Sequence, residues 1–298
     1  MNQQNSLSYI LITPARNEET FLEKTIQSVV SQTILPLRWI IVSDGSLDRT
    51  DEIALHYVAR HNWIEFLRMP IHDDRQFASK VHGFQAGYRR ITDLEFDIVG
   101  NLDADLSFEP DYIEYLLDKF AQDPDLGVAG TPFVEVTTSP YDYRYTNIEH
   151  VSGACQLFRR ACFESIGGYR PVKRGGIDWI AVTMARMKGW KTRTFTDKLI
   201  THHRKMGTGI SNLLGARYAL GRQDYYLGNH PLWEIFRMFY QMKHRPYVWG
   251  GLILFLGYIT AALQREKRPV PAELVAFIRH EQMGRLRKRF QLTRNVPG

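Results

Sequence analysis

Apolar and polar positions alternate along the first hundred residues in a way that predicts strands and helices in turn. Short apolar runs at Tyr9–Thr13, Trp39–Val42, Ile64–Leu67 and Phe96–Leu102 have the length of buried strands. Between them the apolar spacing is helical. Glu18–Ser31 brings Phe21, Leu22, Ile26, Val29 and Val30 to one side, Asp48–Arg60 starts with Asp48 placed as an N-cap, and Lys80–Arg89 fills the next interval. Repetition of this kind predicts an α/β domain with a mainly parallel central sheet flanked by helices. Such sheets bind ligands beyond the carboxyl ends of their strands. The polar clusters Pro14–Glu19, Ser43–Asp48 and Asp103–Asp105 fall at those ends.

From about Gly127 to Lys205 the pattern is less regular, with glycine pairs at Gly167-Gly168 and Gly175-Gly176. After Gly207 the character changes. Leu232, Ile235, Phe236, Phe239 and Met242 recur at helical spacing among Trp233, Arg237, Lys243 and Arg245, which predicts an amphipathic helix. Tyr247–Leu263 follows, a run of 17 residues without a charge and with Tyr247 and Trp249 at one end. That length stands at the lower limit for a bilayer span and also suits a re-entrant or interfacial segment, or a buried helix pair. These changes place a domain boundary between residues 1–206 and 207–298.

Charge sharpens this division. Gln264–Gly298 holds nine Lys and Arg against three Glu, an excess of +6 that equals the net charge of all 298 residues. The basic excess is thus a property of the tail, suited to an anionic membrane surface or to nucleic acid. An apolar run precedes the tail and no groove-reading motif accompanies it, so a nucleic-acid partner is disfavoured. Cys155 and Cys162 are the only cysteines, which fits two buried thiols in a reducing compartment better than a disulfide framework. No secretory signal is expected, because Met1–Ser8 is polar and Tyr9–Ile12 is too short for an h-region.

Three segments carry candidate chemistry. Asp103-Ala-Asp105 sets two carboxylates at a strand end, able to hold a hard divalent cation against a diphosphate, or to form an ordinary solvated turn. Asp44, in Ser43-Asp-Gly-Ser-Leu-Asp48, could accept a hydrogen bond from a nucleobase, or belong to a plain strand-to-helix connection. Pro14-Ala-Arg-Asn-Glu-Glu19 stands at the tip of the first strand and could equally be a helix entry.

Their order, Pro-x-x-Asn-Glu, then Ser-Asp-Gly-Ser-x-Asp, then Asp-x-Asp, resembles the family 2 glycosyltransferases of the GT-A fold. Gly153–Arg160 and Ile166–Tyr169 look like that family's acceptor-side segment, and Gly176-Ile-Asp178 followed by Met187–Trp190 is similar to the segment with its catalytic base. The resemblance covers about Tyr9–Lys205 and makes 1–206 the catalytic domain. It implies that Pro14, Ala15, Arg16, Asn17 and Glu18 line a nucleotide pocket and that Asp44 binds the base, usually uracil in this family. Asp103 would approach the ribose and the metal, Asp105 would be the main ligand of Mn2+ or Mg2+, and His202 would complete the shell. Arg75 and Lys80 would contact the nucleotide, with Arg204 and Lys205 beside the leaving group. Asp178 would be the general base, although the same carboxylate also stands where an N-cap for a helix over 179–187 is expected. The family pattern has Glu-Asp at this point. Here it is Ile177-Asp178, so the base is kept and its acidic neighbour is missing.

The implied activity is inverting transfer from a nucleotide-diphospho-sugar, UDP-linked by family habit, to an acceptor hydroxyl in polysaccharide or glycolipid synthesis. The C-terminal region looks like bacterial members that use lipid-linked acceptors. That implies a peripheral or monotopic enzyme on the cytoplasmic face of the membrane. Two rivals are a catalytically silent membrane scaffold of the same fold and a sugar-nucleotide pyrophosphorylase. The second calls for a Gly-rich phosphate loop, which Pro14–Glu19 does not supply.

Overall fold

A computed structural model describes residues 7–71, 77–135, 148–172, 175–204 and 213–294. The chain forms two compact units, Met1–Lys205 and Met206–Gly298. Arg75 and Lys205 lie outside the described residues.

The first unit opens with β1 (Tyr9–Ala15), α1 (Leu22–Val30), β2 (Arg38–Ser43), α2 (Thr50–Val58), β3 (Ile64–Arg68), α3 (Phe77–Arg89) and β4 (Ile98–Leu102). Helix α1 starts four residues later than the apolar spacing predicts, because Asn17 is left-handed at φ 55° and turns the chain first. There follow β5 (Leu106–Ser107), α4 (Tyr112–Gln122), β6 (Leu126–Gly130), β7 (Phe133–Glu135), β8 (Cys155–Arg159), α5 (Arg160–Ser165), α6 (Ile177–Met187), β9 (Lys191–Thr194) and β10 (Ile200–His202). The stretch after Gly127 is therefore more regular than its sequence suggests. Its strands are three to five residues long, too short for a clear period-two signal.

Seven strands form one sheet in the order β3-β2-β1-β4-β8-β6-β9. The first four are parallel, β8 runs antiparallel to both β4 and β6, and β6 and β9 are parallel again. Strands β1, β2 and β4 are almost wholly buried, as expected of a sheet covered on both faces. Leu22, Ile26 and Val29 of α1 and Ile113, Leu116 and Phe120 of α4 fill the core with Leu11, Trp39 and Ile41. A small second sheet, β5-β10-β7, sets the chain around His202 beside the chain that follows Asp105. Cys155 and Cys162 are free and buried, and burial pushes both thiols up to about 12.

The second unit is helical: α7 (Leu213–Tyr226), α8 (Pro231–Gln241), α9 (Tyr247–Leu263) and α10 (Ala272–Arg294). Glycines let α9 approach its neighbours at backbone distance. A Cβ on Gly221 of α7 would stand 1.8 Å from the Leu254 carbonyl oxygen. One on Gly251 would stand 2.2 Å from that of Met238, and one on Gly257 would stand 2.2 Å from that of Tyr218. Below this seam lies a buried polar network. Asn229 donates to Glu234 Oε1 at 2.8 Å, accepts from Gln282 at 2.8 Å and receives the Tyr258 hydroxyl on its carbonyl at 2.8 Å. Arg237 Nη1 stands 2.5 Å from Asp224 Oδ2. No helix among the described residues is long and apolar enough to cross a membrane.

Candidate functional site

The chain leaves β1 through α1 for β2 on one side and leaves β4 through β5 and α4 for β6 on the other, so a crevice opens beyond the carboxyl ends of these neighbours. The loops that border it are held by side chains that bind backbone. Asn17 accepts from the Leu47 N–H at 2.9 Å and donates its own N–H to Ser46 Oγ at 3.1 Å. The Glu18 N–H donates to Thr50 Oγ1 at 2.7 Å and the Glu19 N–H to Asp48 Oδ2 at 3.0 Å. Asp48 also accepts from the Thr50 N–H at 3.0 Å, so it acts at the start of α2 from one residue outside the cap position. An asparagine serves at position 17 because it tolerates the left-handed region and caps the facing loop with the same amide.

Within the crevice lies a cavity of about 360 Å³ lined by Pro14, Ala15, Arg16, Glu18, Asp44, Ser79, Lys80, Asp103, Ala104, Asp105 and Arg204. Asp44 is buried, with Arg16 Nη1 3.9 Å from its carboxylate. Lys80 Nζ contacts Asp103 Oδ1. Arg204 contacts Glu18 Oε2 and places its Nε 3.5 Å from Asp105 Oδ2, so one guanidinium stands between two carboxylates. Burial pushes Glu18 up to about 7; Arg204 opposes the shift, and Asp105 and Asp103 add to it. Burial also raises Asp103, against the pull of Lys80.

Asp103, Asp105 and His202 each turn one ligand atom to within 4.8 Å of the others. The His202 ring is set for ligation. Its Nδ1 meets the Arg204 carbonyl oxygen, which can only accept, so Nδ1 carries a proton and in the neutral ring Nε2 is the nitrogen free to ligate. That Nε2 faces Asp105 Oδ1 at 3.6 Å. Two electron-rich atoms facing each other beside a second carboxylate, that of Asp103, make a donor set that fits a divalent cation of the Mn2+ or Mg2+ kind. His203 turns elsewhere, to Ser107 Oγ at 2.9 Å, with its ring stacked on Phe21.

Asp178 lies in the first turn of α6, whose N-cap is the left-handed Gly176, so Asp178 is not the cap. Its Oδ2 accepts from the Gly153 N–H at 3.1 Å. The Gly153 carbonyl in turn accepts from Asn101 Nδ2 at 2.8 Å and from Lys80 Nζ at 3.3 Å. One residue, Gly153, thus connects Asp178 through its N–H to Lys80 through its carbonyl, and Lys80 in turn contacts Asp103. Nearby, burial holds His150 below the usual imidazole range, with the charge of Asp178 opposing the shift.

The structure therefore brings Pro14, Ala15, Arg16, Glu18, Asp44, Lys80, Asp103, Asp105 and His202 together around one crevice. Asn17 is not among the residues lining the cavity; it braces the two loops. Asp178 reaches the group through Gly153. The sequence reading passed over Ser79 in the cavity wall and Asn101 behind it. Asn101 carries a usable signal, an amide inside an otherwise apolar strand two residues before Asp103.

Residues 10–151 match the family described as "Glycosyl transferase family 2". A glucosyl-dolichyl phosphate glucuronosyltransferase from Haloferax volcanii is 24% identical over 192 residues, 55% of this chain and 55% of its own. The chondroitin synthase of Pasteurella multocida is 26% identical over 118 residues, 40% of this chain and 11% of its own. A poly-beta-1,6-N-acetyl-D-glucosamine synthase of Staphylococcus aureus is 28% identical over 124 residues, 41% of this chain and 28% of its own. The chain thus spans from about a tenth to about half of the length of these curated relatives. Among solved structures, the mannosyltransferase PcManGT from Pyrobaculum calidifontis, in complex with GDP-Man and Mn2+, superposes with a TM-score of 0.61 at 16% identity. That match covers 88% of this chain and 89% of the other. S. aureus TarS 1-349 in complex with UDP-GlcNAc gives 0.55 at 13% identity, over 72% of this chain and 65% of the other. The fold is the GT-A glycosyltransferase fold.

Proposed function

We propose, from the match of residues 10–151 to the family described as "Glycosyl transferase family 2", that the chain is a member of that family and moves a sugar from a nucleoside-diphospho-sugar to an acceptor hydroxyl, with inversion at the anomeric carbon. The observation that carries this reading is the convergence on one crevice of the tips of β1, β2 and β4, with Asp178 joined to the same residues through Gly153.

Asp44, buried at the tip of β2, accepts from a base N–H, with uracil the first candidate. Lys80 and Arg204 bring positive charge to the diphosphate, where charge-assisted hydrogen bonds are strong. Asp103, Asp105 and His202 would hold the divalent cation, which supplies charge stabilisation to the departing nucleoside diphosphate. Asp178 takes the acceptor's hydroxyl proton as the new anomeric C–O bond forms and the bond to the phosphate oxygen breaks. General base catalysis of this kind contributes about 10²–10⁴-fold. A single displacement inverts configuration and needs no second carboxylate as nucleophile.

Support for the acceptor class comes from the relatives' names. One includes a dolichyl phosphate, which favours a lipid-linked acceptor, and others are polysaccharide synthases. The test is transfer from UDP-glucose, UDP-N-acetylglucosamine and GDP-mannose to a polyprenyl-phosphate-linked sugar, beside donor titration. Asp178→Asn is expected to keep donor binding and lose transfer, and Asp105→Asn to lose both. Wild-type transfer rates in Asp178→Asn would remove Asp178 from the mechanism.

A further inference from the structure

The second unit carries an apolar face that none of its own described helices covers. On α9, Trp249, Leu252, Leu256 and Leu263 are exposed, Trp249 at 67% and Leu263 at 79%. Their spacing of three, four and seven residues puts them on one side of the helix. The stripe is about 21 Å long at 1.5 Å per residue. On α8, Leu232, Ile235 and Phe239 are exposed at the same kind of spacing. Exposed apolar patches of this size mark interaction surfaces.

From these observations we propose that this unit docks on an anionic lipid bilayer, with α9 lying along the interface and its Trp249–Leu263 stripe immersed, rather than crossing the bilayer. This goes beyond the catalytic reading and does not depend on it. Three observations choose the occupant. The opposite side of α9 (Gly250, Gly251, Leu254, Gly257, Tyr258 and Ala261) is buried. It packs on α7 and α8 at backbone distance, so the helix is built into the unit by one face and free on the other. Exposed cations stand at both ends of the helix, Lys243 and Arg245 before it and Arg265 and Lys267 after it. A segment that crossed would place one of these pairs on each side of the bilayer, whereas one lying flat sets both against the same headgroups. Finally, residues 206–298 hold 14 Lys and Arg against five Asp and Glu, a net +9. A second copy on this face would bring two such charges together, whereas anionic headgroups neutralise them, and they attract basic segments within about a Debye length. Trp249 and the exposed Tyr247 at one end suit the headgroup level.

The experiment uses the full chain with vesicles of phosphatidylcholine, alone or mixed with phosphatidylglycerol, and the double variant Leu252→Glu/Leu256→Glu. Co-sedimentation is expected with the anionic vesicles, at least tenfold weaker with the neutral ones, weakened by salt, and at least tenfold weaker in the variant. Tryptophan quenching by brominated lipids is expected to be stronger for bromine near the headgroups than near the bilayer centre, and to fall in Trp249→Phe. Circular dichroism and nucleotide titration of the double variant, expected to match wild type, separate lost docking from lost folding and from failure of the catalytic reading. Equal vesicle binding by the folded variant would overturn the proposal. So would a concentration-dependent dimer that the variant dissolves, which assigns the face to a second copy, and so would deeper quenching at the bilayer centre, which assigns a span.

Discussion

Gly153→Ala is the substitution that best isolates the positioning of Asp178. A Cβ at residue 153 would stand 2.8 Å from Asp178 Cβ, 3.1 Å from its Cγ and 3.1 Å from Oδ2. The first of these atoms is fixed to the backbone of α6, so rotation of the carboxyl group alone does not relieve the clash. Either α6 or the 153 segment must shift, and the 3.1 Å bond from the Gly153 N–H to Asp178 stretches or breaks. Overpacking of this kind costs about 1–3 kcal/mol. At about 2–4 °C per kcal/mol for a unit of this size, the first unfolding transition should drop by roughly 2–12 °C. Catalysis should suffer more, because a misplacement of about 1 Å in a reacting group can cost ~10²-fold. The proposed nucleotide contacts of Asp44, Arg16 and Glu18 lie on other loops, and Lys80 keeps its contact with Asp103 when the Gly153 segment shifts. The expected result is a kcat about 100-fold lower, a donor KM changed by less than about threefold, and a nucleoside diphosphate Kd within about twofold of wild type. A coupled assay of released nucleoside diphosphate gives the first two and calorimetry the third. A folded Gly153→Ala protein with wild-type kcat would refute the link between Gly153 and the proposed base Asp178.

Arg204→Ala removes the guanidinium between Glu18 and Asp105. A charge-assisted hydrogen bond is worth about 1.5–3 kcal/mol, so calorimetry should show nucleoside diphosphate binding weakened roughly tenfold or more. Gly221→Ala drives a methyl group into the Leu254 carbonyl oxygen, 1.8 Å away, and circular dichroism melts should lose the transition of the helical unit while that of the first unit stays. Glu234 supplies a pH signature. Burial and the neighbouring Asp224 push its carboxyl from 4.5 up to about 8, with Arg237 opposing. Between these values the folded state holds a proton that the unfolded state has released, so the contribution to stability is complete below 4.5 and declines until about 8. Glu234→Gln should therefore gain melting temperature relative to wild type as pH rises from 5 to 8; a difference independent of pH would show that Glu234 is not protonated in the fold.

The alternation of Tyr9–Thr13, Trp39–Val42 and Phe96–Leu102 with helical segments made the parallel half of the sheet legible, because fully buried strands read as continuous apolar runs. The same runs located Asp44, Asp103 and Asp105, since strand tips meet at one edge of a parallel sheet. The later strands were not legible. Strand β8 is five residues long and enters antiparallel between β4 and β6, a pairing that depends on contacts far apart in sequence. For the same reason the partnership of Asn101 with Gly153, 52 residues away, leaves no local pattern. Asn17 shows the limit from the other side. Its side chain type was noticed, but its task of bridging two loops depends on a backbone angle that no side-chain pattern records.

The most direct test of the proposed donor site is calorimetric titration of the full chain with UDP and GDP, with and without Mn2+, beside Asp105→Asn. Metal-dependent binding of one nucleotide, lost in the variant, is the predicted result. Binding of neither nucleotide by folded protein, or equal binding with and without the metal in both forms, would contradict the account of Asp103, Asp105 and His202 as a cation site serving a nucleotide sugar.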